Sequence, residues 1–410
     1  MTAADILILF SLLYPVVAAV QGVIGYFFGR KEYPDARPRR FAVIICARNE
    51  EKVIGSLLES LNSQEYPKEM VTCFVAAHNC TDRTADIARG FGAVVFELND
   101  ADKNTKGDAL SYGIGRINEL YPDTFDAMCF FDADNLAGHC FLKEVNAALS
   151  TGADAVTGFR HSKNYHQSVV SELFGSYWYQ IMYTQNIPHT AMGMTPVVGG
   201  TGFAVTMENL RDGWNTETLL EDVEFTAQMI LLGKKIITAP KALFYDEQPS
   251  ELKAGLRQRY RWAVGGYQLL RRYLPRLIMA LPVHGKQVLG FLPAILINPV
   301  MLLTLTGFFV RVAESFKNGG IKGLLIYVLA VMLAAWIFTL PITLMLYGRQ
   351  KMSILKYPAA LLLFPVFLMI SLPLSVAALF ERKPEWKPVP HESSTRISDI
   401  EKQDHRPQDP

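Results

Sequence analysis

Cysteine is scarce in this chain. Its 410 residues include five cysteines (Cys46, Cys73, Cys80, Cys129, Cys140), all in the first half, with no C-x-x-C pair and no histidines at zinc spacing. A disulfide scaffold and a zinc module are thereby excluded, leaving free thiols that serve packing in a reducing compartment. Charge of one sign is also missing: 40 Lys and Arg against 39 Asp and Glu leave a formal net charge of +1. No basic footprint points to nucleic acid. The apolar N-terminal stretch has neither a positive charge before it nor a small-residue cleavage site after it, so it reads as an anchor, not a secretory signal. Gly113-Ile114-Gly115 lacks the third glycine of a dinucleotide fingerprint and falls within a helical pattern, which excludes a Rossmann dehydrogenase.

Half of the residues are hydrophobic. Residues 5–28 suffice to cross a bilayer, and Arg30, Lys31, Arg37, Arg39 and Arg40 follow, placing the N-terminus outside and the next residues in the cytoplasm. Pro34 and Pro38 make the connection an extended linker. Three further apolar spans, 288–312, 321–347 and 357–380, contain Pro293, Pro299, Pro341, Pro365 and Pro373, which kink membrane helices without forbidding them. Arg349, Lys351 and Lys356 hold the second loop inside. Arg382, Lys383 and Lys387 would then fall outside, against the positive-inside rule, so either one span is re-entrant or the rule fails here. After Pro388 the composition is that of a disordered tail.

Between the anchor and those spans, strand and helix patterns alternate: strands at 41–46, 71–76, 93–96, 128–131 and 153–158, helices at 50–62, 81–89, 106–121 and 140–150. Such alternation predicts an α/β domain with a mainly parallel sheet and right-handed crossovers, its ligand residues just after the strands. Polar clusters occur there. Arg48-Asn49-Glu50 follows the first strand, His78 to Thr84 the second, and Asp132-Ala133-Asp134 the fourth. Carboxylates two residues apart on a turn can share one hard cation, Mg²⁺ or Mn²⁺, and through it a diphosphate. An isolated pair is more often merely solvated. Thr81 or Asp82 would equally serve as a helix N-cap, and Lys106-Gly107-Asp108 opens a helix where a cation and free amides could face a phosphate or sugar.

The ordered set Ala47-Arg48-Asn49-Glu50, Asn79 to Thr84, Lys106-Gly107-Asp108-Ala109-Leu110, Asp132-Ala133-Asp134, Leu219-Leu220-Glu221-Asp222 and Gln258-Arg259-Tyr260-Arg261-Trp262 resembles the family 2 glycosyltransferases. These are inverting membrane enzymes of GT-A fold that include cellulose, chitin, hyaluronan and poly-N-acetylglucosamine synthases. The resemblance covers about residues 41–281. It implies that Asn49, Glu50, His78, Asn79, Asp82, Lys106, Asp132 and Arg261 bind the nucleotide sugar, and that Asp134, with Asp132, ligates Mg²⁺ or Mn²⁺. It makes Asp222 the general base with Glu221 beside it, and places Gly202, Gln258 and Trp262 at the acceptor. His78 departs from the pattern, standing where many relatives carry a uracil-binding aspartate. A neutral imidazole can still hydrogen-bond a base.

Physical chemistry agrees in part. A leaving diphosphate develops negative charge that a divalent ion and fixed cations stabilise, and an acceptor hydroxyl needs a base on the opposite side. Asp222 follows Leu219 and Leu220 and precedes Val223 and Phe225, which suits a partly apolar helix start; Glu221 and Glu224 compete with it, and plain N-terminal helix charge accounts for Glu224 equally well. Leu173, Phe174, Tyr177, Trp178, Ile181 and Met182 give 168–185 an aromatic character that fits a core helix, a membrane interface or a sugar-binding face. Val198 to Val205 reads as a glycine-rich turn feeding a strand, either an acceptor loop or a plain tight turn. Residues 252–281, with Arg257, Arg259, Arg261, Arg271, Arg272 and Arg276 among Leu, Tyr and Trp, have the make-up of an interfacial helix. Gln258 and Arg261 share its site-facing side, and Arg271, Arg272 and Arg276 meet lipid headgroups.

The expected organisation is an anchor (1–30), a cytoplasmic catalytic domain (31–250), an interfacial segment (251–282), a transmembrane region (283–381) and a polar tail (382–410). The expected activity is a metal-dependent, multi-pass plasma-membrane enzyme that builds a β-linked polysaccharide from a nucleotide sugar, UDP-activated, and exports it among membrane lipids. A non-processive enzyme acting on a membrane lipid is the alternative, and a non-catalytic transporter or scaffold the remote one. No partner subunit or accessory export protein can be named from the residues.

Overall fold

The computed structural model describes residues 3–28, 31–349, 358–381 and 395–403. Two compact units emerge, one drawing on 31–165, 195–248 and the tail, the other on the N-terminal helix, 166–194 and the residues from 249 to 381.

The first unit is a mixed, mostly parallel sheet flanked by helices. Its strands are β1 (Phe41–Ala47), β2 (Val71–His78), β3 (Val94–Leu98), β4 (Ala127–Asp132), β5 (Leu136–Ala137), β6 (Ala155–Ser162), β7 (Phe203–Thr206) and β8 (Ile236–Asp246), in the order β3-β2-β1-β4-β7-β6-β8-β5. Pairings β1/β2, β1/β4, β2/β3 and β6/β8 are parallel; β4/β7, β6/β7 and β5/β8 are antiparallel. Apolar side chains fill both faces of the central strands, as a sheet covered on both sides requires. Val43, Ile45, Cys129 and Phe131 join the helices Ile54–Asn62 and Phe141–Leu149, whereas Ala42, Ile44, Met128 and Phe130 join Lys106–Leu120 and Glu221–Leu231. The alternation follows from the two-residue period of a strand.

The sequence missed β5 and β8. Helix 50–62 begins only at Ile54, and helix 81–89 begins at Thr84, where Asp82, two residues ahead, accepts from Thr84 N at 3.0 Å. At Gly113 a Cβ would meet Ile44 Cδ1 at 2.8 Å, so this glycine serves close helix-to-sheet packing. All five cysteines are free, and burial pushes the thiols of Cys46 and Cys73 up to about 12. The expected disordered tail does not extend to Ile397–Gln403, a helix whose Ile397 and Ile400 pack on Leu136 and Tyr245. Arg396 adds a 3.5 Å contact with Glu59.

The second unit is helical. Ala3–Phe28, Val169–Ile181, a π-turn at Met182–Asn186, Pro358–Met369 and Ser371–Leu379 accompany Leu252–Arg349, whose backbone breaks at His284 and at Gly320 (φ 56°, ψ −146°). The break at Gly320 separates the apolar stretches expected at 288–312 and 321–347. Within the described residues, Leu252–Met345 and Leu361–Leu379 are long and apolar enough to cross a membrane by length and composition. Buried polar groups stitch them internally: Asn298 Nδ2 donates to Ala263 O at 2.8 Å, and Ser375 Oγ lies 3.1 Å from Tyr267 Oη. Arg30, Lys351, Lys356, Arg382, Lys383 and Lys387, on which the sidedness argument leaned, lie outside the described residues.

Candidate active site

The carboxyl ends of β2, β1 and β4 stand side by side in the sheet, so three polar turns line one edge. Asp132 closes β4, and its N–H donates to Thr201 Oγ1 at 3.0 Å and to Asn135 Oδ1 at 3.3 Å. Lys106, first residue of Lys106–Leu120, reaches back across that edge. Its Nζ lies 2.5 Å from Asp132 Oδ1 and 3.7 Å from Glu221 Oε1, and donates to Gly200 O at 2.7 Å. The helix is fixed by a reciprocal cap, Thr105 Oγ1 accepting from Asp108 N and Asp108 Oδ2 from Thr105 N. Asp222 completes the group, since a Cβ built on Gly200 would lie 3.0 Å from Asp222 Oδ2. Burial opposes the Lys106 charge, yet Asp132 and Glu221 outweigh it and hold the ammonium above the ordinary lysine range.

Asp134 is buried; its Oδ1 accepts from Asn135 Nδ2 at 3.3 Å and its backbone carbonyl from Lys163 Nζ at 2.9 Å. No cluster of three or more His, Cys, Asp or Glu suited to a metal occurs among the described residues. Asp132 and Asp134 put two carboxylates on one turn. That fits a hard ion such as Mg²⁺ or Mn²⁺, which keeps several positions for phosphate and water oxygens.

The flanking turns are held by the residues expected at the nucleotide. Asn49, in left-handed backbone at φ 59°, accepts from Thr81 N at 2.7 Å, and Glu50 N donates to Thr84 Oγ1 at 2.8 Å. Asp82 Oδ2 accepts from Glu51 N at 3.1 Å; its partial burial would raise its pKa, but the hydrogen bonds from Thr84 and Glu51 hold it below the usual carboxylate range. Buried His78 places Nε2 2.6 Å from Lys103 O and so donates to it, while Asn79 clasps Asp100 through both its amide N and O. His78 and Asn79 thus shape the loop after β3.

Glu224 is fully buried, with Oε2 accepting from Glu217 N and Thr218 N at 2.9 and 2.7 Å. It organises the loop ahead of Glu221–Leu231, whereas Asp222 stands by Gly200 in the first turn. Gly202 has φ 62°, and a Cβ there would meet the Phe244 ring at 2.2 Å, so backbone and ring need the space. Gln258, Arg261 and Trp262 belong to the helical unit. Trp262 stacks on Tyr177 at 6.0 Å and meets Trp178 edge-on at 5.6 Å, and Gln258 Oε1 is buried with no hydrogen-bond partner. Sequence reading missed Asn135, Arg160, Lys163, Thr201 and Asp246, which form a buried polar layer behind Asp132 and Asp134. Arg160 and Asp246 lie in β6 and β8 and meet partners distant in sequence, so no local pattern marked them.

Residues 38–265 match the family described as "Glycosyltransferase like family 2". A poly-beta-1,6-N-acetyl-D-glucosamine synthase of Staphylococcus epidermidis is 25% identical over 64% of this chain and 66% of its own length. A beta-monoglucosyldiacylglycerol synthase of Nostoc sp. is 28% identical over 58% of this chain and 53% of its own. The match thus spans less than two thirds of either relative. In shape the chain is similar to a mannosyltransferase from Pyrobaculum calidifontis, solved with GDP-Man and Mn²⁺, at TM-score 0.60 and 17% identity over 93% of this chain and 100% of that one. The curled eight-stranded sheet is accordingly of GT-A type. With the family match covering more than half of its 410 residues, the chain belongs to the family 2 glycosyltransferases.

Proposed function

We propose that this chain transfers a sugar from a UDP-activated donor, with inversion and with Mg²⁺ or Mn²⁺, to a growing β-linked polysaccharide. The observation that carries the reading is the convergence of Lys106, Asp132, Glu221 and Asp222 around Gly200 at the carboxyl edge of the sheet. Asp134 and Asp132 would hold the ion. When bound, the ion offsets the charge that grows on the departing diphosphate. Lys106 supplies a second, fixed cation at the same edge. Asp222 takes the acceptor hydroxyl proton as the oxygen bonds to the anomeric carbon and the bond to the diphosphate breaks.

Synthesis of a polymer is supported by the stack of Trp262 on Tyr177 in the unit that carries the apolar spans, since aromatic faces hold sugars without one fixed register. In this reading the catalytic domain faces the cytoplasm and the spans export the product. A lipid acceptor is favoured instead by the likeness to a diacylglycerol glycosyltransferase. A non-catalytic transporter or scaffold has no use for the carboxylate cluster. Product size decides between acceptors: purified protein given labelled UDP-sugars and Mn²⁺ should yield material that stays at the gel origin. Products that all partition into organic solvent with one or two sugars would sink the polymer reading.

A further inference from the structure

The buried layer behind the two carboxylates converges on one side chain. Asp246, last residue of β8, accepts from Asn135 Nδ2 at 2.9 Å through Oδ1, and from Arg160 Nη1 at 3.2 Å and Gln248 Nε2 at 3.0 Å through Oδ2. Asn135 and Arg160 lead to different parts of the site. Asn135, wholly buried, uses its Oδ1 to hold Asp132 N and the Thr201 hydroxyl, and its amide also donates to Asp134 Oδ1. Arg160 donates its other amino group to Gly199 O, one residue before the carbonyl that Lys106 grips. Next to Asp246, Glu247 lies 3.1 Å from Lys163 Nζ, which holds the Asp134 carbonyl.

A single carboxylate therefore ties the Asp132–Asn135 turn, which closes β4, to the Gly199–Gly202 turn, which leads into its neighbour β7. Arg160 and Asp246 are only 9% and 14% exposed along their side chains, so neither charge can fall back on water if its partner is removed. We infer that Asp246 is a positioning residue: acting through Asn135 and Arg160, it sets the orientation in which Asp132 and Asp134 present their oxygens to a divalent cation and the diphosphate it carries. This rests on the reading of those two aspartates as the ion's ligands. Groups that orient metal ligands from behind commonly change metal affinity by about 10- to 100-fold when altered.

The test is calorimetry of UDP binding with and without Mn²⁺ on the detergent-purified full chain, with unfolding midpoints measured in parallel. Wild type should bind UDP only with Mn²⁺, and D134A should abolish that. D246N should weaken Mn²⁺-dependent UDP binding by about 10- to 100-fold, and in turnover its loss should appear mainly in the donor KM. N135A should do the same, and the double variant should lose clearly less than the two single losses combined, because both variants break the shared Asn135–Asp246 link. N135A carries the measurement should D246N fail to fold. A D246N protein with a lower unfolding midpoint but wild-type affinity would overturn the inference, as would additive losses. Absence of Mn²⁺-dependent UDP binding in wild type would instead sink the underlying reading, and the role of Asp246 with it.

Discussion

Lys106 Nζ sits 2.5 Å from Asp132 Oδ1, so the protein's own cation occupies the first of the two carboxylates. In the proposed reading, donor and ion share or displace that contact. Lys106→Met should leave Asp132 and Glu221 facing each other without a counter-charge and should destabilise the sheet unit. A cost of about 1–3 kcal/mol, between the values for exposed and buried pairs, is expected from denaturant unfolding. Because the folded Lys106 holds its proton more tightly than an unfolded lysine, its contribution is full below about pH 10.4 and lost as pH rises through the folded value. Alkaline titration of wild type against the Met variant checks the sign.

Asp222→Asn keeps shape and removes basicity. UDP binding should persist while transfer falls by about two to four orders of magnitude, the range for loss of a general base. Glu224→Gln should act through stability, by about 1–3 kcal/mol, because its carboxylate holds two backbone amides in a buried loop. Equal losses of kcat in both variants would count against this division of labour.

Asp134→Ala should remove the Mn²⁺-dependent part of UDP affinity, since a hard ion left with one carboxylate loses half of its protein donors. Retention of tight UDP binding with Mn²⁺ would move the ion elsewhere.

Gly202→Ala should destabilise by about 1–3 kcal/mol, through its positive φ and the overlap of the new methyl with Phe244. If unfolding is unchanged, the ring moves more freely than its packing implies.

Much of this architecture could be read in the residues, and where it could not the reason is physical. Phe41–Ala47 and Ala127–Asp132 announced themselves as unbroken apolar runs ending in polar turns, the pattern of strands buried on both faces. Ile236–Asp246 carries Pro240 and Lys241 in its middle and lacked that pattern, so a strand pairing with β6 through a bulge went unseen. The carboxylates facing the open edge were legible because charge is costly unless used. Asp246, Asn135 and Lys163 were not, since their partners come from strands far apart in sequence and only the fold joins them. The roles of Glu221 and Glu224 differ for the same reason: spacing places both on the first helical turn, and only packing shows which is buried.

The small helix Ile397–Gln403 bears on compartment. Ile397 and Ile400 bury themselves on Leu136 and Tyr245, beside the turn that holds Asp134, and no helix can lie against a sheet through a bilayer. In the reading of a cytoplasmic catalytic domain, residues 395–403 share its compartment. A cysteine introduced at exposed Ser398 should resist a membrane-impermeant maleimide in intact cells and react once the membrane is opened. Labelling in intact cells would show that the tail leaves the catalytic sheet for the far side.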